Sequence, residues 1–226
     1  MLDKTSFSLA TITEENYLKA ILHLSESSRK VTISNLSEAL DVSKPTTNSM
    51  VKNLQEQGWV EYEKYKPLVL SAKGRKTAAL VLRKHRLTEM YLVEKMGFAW
   101  EEVHEIAEQI EHIKSPLFFD RMDKLMEFPK VDPHGSPIPD KEGNMEATHY
   151  SPLIESAANT EVVVAALVNS SREFLLFLNE KGIQLGSKLK VISRSEFDQS
   201  VAVEFNGKKE TLSAKVSRSL LVDLIE

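Results

Sequence analysis

Within the first seventy residues the spacing of apolar side chains changes from a helical period to a strand period, and few folds accept that order. Glu14 to Ser25 reads as a helix: Tyr17, Leu18, Ile21 and Leu22 make one stripe. Thr11 and Glu14 are spaced as a capping box, in which each side chain satisfies the other's free backbone N–H. A second, short helix from Ser34 to Leu40 turns Leu36, Ala39 and Leu40 inward, and Asp41-Val42 makes a tight turn. Ser43 caps a third helix, with Pro45 in the first turn, where a missing N–H costs little. Thr47, Met50, Val51 and Leu54 form its stripe, and Gly58 ends it. Trp59 to Glu63 then alternates apolar and charged residues, Lys64-Tyr65-Lys66-Pro67 turns, and Leu68-Val69-Leu70 returns. Two helices across a tight turn, followed by such a wing, predict a winged helix-turn-helix over residues 1–74.

The outer side of the third helix offers short polar groups at its start. Ser43, Lys44, Pro45, Thr46, Asn48, Ser49 and Lys52 are candidate DNA-binding residues, as is Thr47, although the same period puts it on the apolar stripe. Hydroxyl and amide groups of this size approach base edges and phosphates closely, and Lys44 and Lys52 suit phosphates. Lys64 and Lys66 at the wing tip would grip the flanking backbone. The net charge of −4 argues against a nucleic-acid partner only as a sum. From Asp41 to Arg86 ten basic residues face four acidic ones, whereas from Leu87 to Glu127 ten acidic residues face four basic ones. One segment is built to meet anions and the next to attract cations.

That acidic segment carries the sharpest chemistry. Ser71 opens a long helix to Met96, stopped by Gly97; another helix spans Glu101 to Lys114, and Ser115-Pro116 starts a third that ends near Phe128. At about 100° per residue, His104, Glu108, Glu111 and His112 fall on one side of the middle helix, opposite Val103, Ile106, Ile110 and Ile113. On the preceding helix His85 and Glu89 share a face. Packed antiparallel, the two helices would gather histidines and carboxylates, a donor set suited to divalent first-row metals. There are no cysteines, so a disulfide framework and a thiolate site are both excluded. The plain alternative is a solvated polar face.

Pro129 to Pro152 contains five prolines and two glycines and reads as an extended linker. Within it Asp132-Pro133-His134-Gly135 reads as a turn, or as a segment folded back to supply ligands. Beyond the linker the chain becomes β-rich: Val162–Val168, Lys188–Ser193, and Val201–Phe205 joined to Glu210–Leu212 across Asn206-Gly207. A helix from Arg172 to Lys181 interrupts these strands. No apolar run approaches the roughly 20 residues needed to cross a bilayer, and the start lacks a secretory pattern, so a cytoplasmic protein is expected.

TEENYLKAI, the helix-turn-helix, RKHRLTEMYL, VHEIAEQIEH and FPKVDPHGSPIP occur in that order. In that order the motifs resemble the diphtheria toxin repressor and manganese transport regulator family over roughly residues 10 to 142. The tail, with EFLLFLNEKGIQLGSKLKV, is similar to the small SH3-like (FeoA-like) domain that many members carry. The resemblance implies a homodimer whose central helices form the interface and bind Mn(II) or Fe(II). Glu108, Glu111 and His112 match the primary metal site, with His85 shared between sites in some members. His85, Glu89 and His104 match an ancillary site; in members with the linker motif Glu89 is joined by residues matching Asp132 and His134. Ser43, Pro45, Thr46 and Ser49 match the operator-facing start of the recognition helix. Asn16 stands where members carry Met or Asp as a ligand, and Lys19 where manganese-type members can carry Glu. Glu108 replaces a Cys of iron-type members, which leans the choice toward manganese.

The expected architecture is mainly α, with a winged helix-turn-helix (1–74), a helical dimerisation and metal-binding domain with a Pro-rich linker (75–151), and a small C-terminal β-barrel (152–226). The expected function is a metal-dependent repressor acting on a double-stranded operator, with no membrane, no small-molecule substrate and no catalysis. The competing readings are a metal-independent winged-helix regulator and a metallohydrolase; no nucleophile motif or phosphate loop accompanies the cluster to support the latter.

Overall fold

The computed structural model describes residues 10–26, 30–64 and 66–225. It divides into two units: residues up to His85 with Glu108–Ser115 and Pro139–Met145, and Arg86–Ala107 with Pro116–Ile138 and Glu146–Glu226.

In the first unit, helix α1 (Ile12–Glu26) begins at the expected capping box. Thr11 N–H donates to Glu14 Oε2 at 2.8 Å, and Glu14 N–H donates to the Thr11 hydroxyl at 3.3 Å. A second capping box, Thr32 with Asn35, opens α2 (Ile33–Ala39). Ser43 caps α3 (Lys44–Glu56), accepting from Thr46 N–H, with Pro45 in the first turn. Gly58 follows α3 at φ +74°, and strands β1 (Val60–Glu61) and β2 (Val69–Leu70) pair antiparallel as the wing. Leu18, Ile21, Leu22, Leu36, Val51, Leu54 and Trp59 fill one core. Deleting one of these leucines to Ala should cost about 2–5 kcal/mol. The long helix α4 (Ala72–Met96) starts against the wing: a Cβ on Gly74 would lie 1.9 Å from the Trp59 carbonyl oxygen, so only glycine fits.

The middle helix is shorter than its polar stripe suggests. α5 (His104–Ile110) ends before Glu111 and His112, which stand in the turn that follows. α6 (Pro116–Leu125) follows in the second unit. The expected linker is not extended throughout. Asp132 and His134 are buried, and Val131 bridges Pro137 across a compact turn.

After Ser151 the chain forms β3 (Ser151–Pro152), β4 (Glu161–Leu167), α7 (Arg172–Lys181), β5 (Lys188–Arg194), β6 (Val201–Phe205), β7 (Lys208–Leu212), α8 (Ala214–Ser219) and β8 (Leu220–Leu224). The β6–β7 hairpin turns on Asn206 and Gly207, both at positive φ, as an Asn-Gly two-residue loop requires. These strands make one antiparallel sheet in the order β3-β8-β4-β5-β6-β7. Its end strands, β3 and β7, do not pair with each other among the described residues, so the expected closed barrel is instead an open sheet. Helices dominate before Met126 and strands after Ser151; the mainly α expectation therefore describes only the first part of the chain. No helix among the described residues is long and apolar enough to cross a membrane.

Candidate metal centre and nucleic-acid surface

In the first unit, His85, Glu108 and Glu111 each offer a ligand atom within 4.8 Å of the others. α4 supplies His85, α5 supplies Glu108, and the turn after α5 supplies Glu111, whose side chain is wholly buried. Glu111 Oε2 lies 2.5 Å from His85 Nδ1. From α1 the Lys19 ammonium donates to Glu108 Oε1 at 2.6 Å and to both oxygens of Glu111 at 2.8 and 2.9 Å. Burial would raise the Glu111 pKa, but the His85 hydrogen bond and the Lys19 charge outweigh it and hold the carboxyl below the ordinary range. His112 sits at the margin: its Nδ1 is 2.6 Å from Glu15 Oε2 on α1, and its Nε2 is 3.6 Å from Glu111 Oε1. One turn before Lys19, the buried Asn16 Oδ1 has no hydrogen-bond partner among the described residues.

The second unit holds another set, Glu89 with Asp132 and His134, all three buried and again within 4.8 Å. Asp132 Oδ1 accepts from His134 N–H at 2.8 Å and Ser136 N–H at 2.9 Å, which ties the Asp-Pro-His-Gly turn together. Its Oδ2 is 3.5 Å from Arg86 Nε. His134 Nε2 lies 3.0 Å from the Trp100 carbonyl oxygen, and the Trp100 ring stacks on the imidazole at 6.0 Å. On the other side of the ring, His134 Nδ1 lies 3.9 Å from Glu89 Oε2. Burial first, and then the neighbouring Glu89 charge, push the Asp132 carboxyl above its ordinary range, against the opposing charges of Arg86 and His134. His104, largely exposed, brings Nδ1 to 3.2 Å from Glu89 Oε1.

Each set combines one imidazole with two carboxylates, the donor chemistry of a divalent first-row cation. An ammonium already bridges two carboxylates of the first set, and an orphaned amide oxygen lies on the same helix. The residues present therefore fit a metal ion.

The family profile "Iron dependent repressor, N-terminal DNA binding domain" matches residues 10–68. "Iron dependent repressor, metal binding and dimerisation domain" matches residues 71–140, and "FeoA domain" matches residues 152–224. The iron-dependent repressor IdeR of Mycobacterium tuberculosis is 38% identical over 127 residues, which cover 56% of this chain and 55% of that protein. The chain thus spans little more than half of that relative's length. The HTH-type transcriptional regulator MntR of Oceanobacillus iheyensis is 34% identical over 55% of this chain and 84% of its own. A solved manganese-dependent transcriptional repressor in complex with manganese superposes with a TM-score of 0.87 at 31% identity, covering 94% of this chain and all of that one. The chain belongs to the diphtheria toxin repressor and manganese transport regulator family. Members of the diphtheria toxin repressor family are DNA-binding transcriptional repressors and not enzymes.

On the helix that matches the family's DNA-binding profile, Ser43, Lys44, Pro45, Thr46, Ser49 and Lys52 are exposed and Asn48 is half-buried, its Oδ1 3.4 Å from the Tyr62 hydroxyl. Thr47 is a correction: it is fully buried, and its hydroxyl donates to the Ser43 carbonyl at 3.1 Å, so it faces the core and not a groove. Lys64 and Lys66 are exposed, with Lys66 paired to Glu63 at 2.6 Å; Tyr65 lies outside the described residues. Sequence reasoning passed over Glu15, Arg86 and Trp100. Only Glu15 left a local signal, a carboxylate one helical turn before Lys19 and next to the apolar stripe of α1.

Proposed function

We propose that this chain is a cytoplasmic, metal-activated, homodimeric repressor that binds operator DNA near metal-homeostasis genes, with Mn(II) favoured over Fe(II). The carrying observation is the first donor set, His85, Glu108 and Glu111, held against the helix that packs under the helix-turn-helix. In this reading residues 1–74 bind DNA, 75–151 bind metal and dimerise, and 152–226 form the FeoA-like domain. Glu108, Glu111 and His85 hold the metal, with His112 beside them and the unpartnered Asn16 amide oxygen a further candidate from α1. Glu89, Asp132 and His134, with His104 at the rim, hold a second ion. Oxygen donors in place of thiolate support manganese.

A divalent cation bound there supplies positive charge that replaces protein cations between the carboxylates. The rest is done by the chain. α1 buries Tyr17, Leu18, Ile21 and Leu22 in the core it shares with α3, so a shift of α1 moves that core. Its Glu14 Oε1 accepts from Asn53 Nδ2 at 3.2 Å and from Gln57 Nε2 at 2.5 Å at the far end of α3. Its Glu15 holds His112 beside the donor set. Rearrangement of carboxylates at one end of this linkage therefore has a direct route to the recognition helix. Only a few kcal/mol of preference for the DNA-competent arrangement is needed to switch occupancy. Dimerisation is supported by the family profile over 71–140 and by Met96, Leu117, Phe118, Leu125 and Phe128, which expose large apolar side chains in the second unit. Two winged domains then meet half-sites about one turn of DNA apart.

The test is operator binding by metal-stripped protein, titrated anaerobically with Mn(II) and Fe(II) at fixed salt. Binding that appears only with metal, at lower Mn(II) than Fe(II), supports the reading. Equal binding with and without metal leaves a winged-helix regulator with another trigger.

A further inference from the structure

The Lys19 ammonium has three N–H donors, and the structure gives it three short contacts, all to carboxylate oxygens of Glu108 and Glu111. Its side chain is only 15% exposed and Glu111 is wholly buried, so the Glu111 half of the pairing is sheltered from solvent and salt, whereas Glu108 is 37% exposed. These same oxygens, with His85, make up the first donor set. An ammonium seated there opposes a divalent ion: it repels it by like charge and occupies a lone pair on each of three oxygens that the metal would use. The flexible four-carbon stem lets the ammonium swing to water without moving α1. Three residues earlier on the same helix, Asn16 Oδ1 is a buried acceptor with no hydrogen-bond partner among the described residues.

We infer that Lys19 is a built-in competitor cation, which holds the first metal site in a neutralised, metal-free arrangement and sets the metal concentration needed to displace it. The inference rests on the reading of that set as a metal site. Lys19 thus serves two purposes. Without metal it compensates two carboxylates that would otherwise repel each other. With metal it is the group that must be expelled, so metal affinity is the difference between two ways of neutralising the same pair. Charged hydrogen bonds of this kind are strong enough that their loss as competitors should tighten metal binding roughly tenfold or more.

The experiment counts free Mn(II) by its EPR signal during titration of metal-stripped protein, comparing wild type with Lys19→Met. Both carry His134→Ala, so that the second donor set does not contribute. Lys84 provides the control, because its charge also acts on Glu111, from α4 rather than from α1. The expected result is tighter Mn(II) binding by Lys19→Met, a lower melting temperature of that variant without metal, and a larger rise on adding Mn(II). Lys84→Met should change Mn(II) affinity far less. Should Lys19→Met not fold, Lys19→Gln keeps a polar head and loses the charge. Equal affinity of wild type and Lys19→Met overturns the inference while leaving the metal site intact. So does equal tightening by Lys84→Met, which would mean unspecific repulsion. If none of these proteins binds Mn(II), the metal-site reading fails and the inference falls with it.

Discussion

The two donor sets use the same residue types and solve opposite electrostatic problems. In the first, Glu108 and Glu111 already have a cation: Lys19 lies within 2.9 Å of both, and His85 donates from the other side. In the second, Glu89 and Asp132 are both buried; Arg86 Nε lies 3.5 Å from Asp132, and His104 and His134 approach Glu89 at 3.2 and 3.9 Å. In the first set an ammonium therefore bridges the carboxylates and must be displaced, whereas in the second one carboxyl is pushed toward its protonated form. Similar donors do not make equivalent sites; the surrounding charged groups set them apart.

The largest expected effect would come from removing Glu111. Glu111→Ala should cut the metal-dependent gain in operator affinity by roughly a hundredfold, near the upper range of allosteric coupling, while Glu89→Ala should cut it by roughly tenfold or less. Anisotropy titrations of labelled operator would check this, and a larger loss from Glu89→Ala would reverse the assigned roles. Next in size is Gly135→Ala. Gly135 sits at φ +83°, and a Cβ there would lie 2.2 Å from the Ala165 carbonyl oxygen, so the turn carrying Asp132 and His134 must shift. Chemical denaturation should report a loss of about 2 kcal/mol or more, with metal binding lost from the second set only.

A smaller effect separates the sets by pH. The raised Asp132 pKa contributes stability that is present at low pH and lost as pH rises through it. Asp132→Asn should therefore stabilise the metal-free protein by about 1 kcal/mol at pH 8, with the gain shrinking toward pH 4. Glu111 has the opposite sign: its depressed pKa contributes stability above the ordinary carboxylate range, lost as pH falls through the depressed value. Glu111→Gln should thus destabilise at neutral pH, with the gap closing in acid. Parallel melting curves from pH 3 to 9 would expose two slopes of the same sign if the contrast is wrong. The smallest effect should come from His104→Ala. Its side chain is 56% exposed, and its loss should change metal affinity by no more than about threefold.

What was legible in the sequence was local. α1, α3, the wing and the Asn206-Gly207 hairpin follow from period, caps and turn residues, all set within a few positions. The end of α5 at Ile110 was not legible, because the polar stripe continues past it and only packing stops the helix. β3, α8 and β8 were missed for a related reason. β8 exists through pairing with β4 and β3, strands far away in sequence. For the candidate sites, residue types and spacing named the donors but not their company. That Lys19 would reach across 89 residues to Glu108, or Trp100 across 34 to His134, depends on tertiary proximity that no local pattern carries.

The turn at Asp132 divides one carboxylate between two tasks. Oδ1 staples the backbone through His134 and Ser136 N–H, and Oδ2 is left to face the charged groups. Because the staple needs no ion, the pocket is assembled before anything enters it. Little conformational entropy remains to be lost on capture, so the rate of filling is governed by how fast an ion sheds its water and reaches a closed interior. The same closure slows escape. Were the proposed second ion to bind there, it would be retained after the surrounding concentration has fallen, giving the protein a short memory that an open, easily exchanged site lacks.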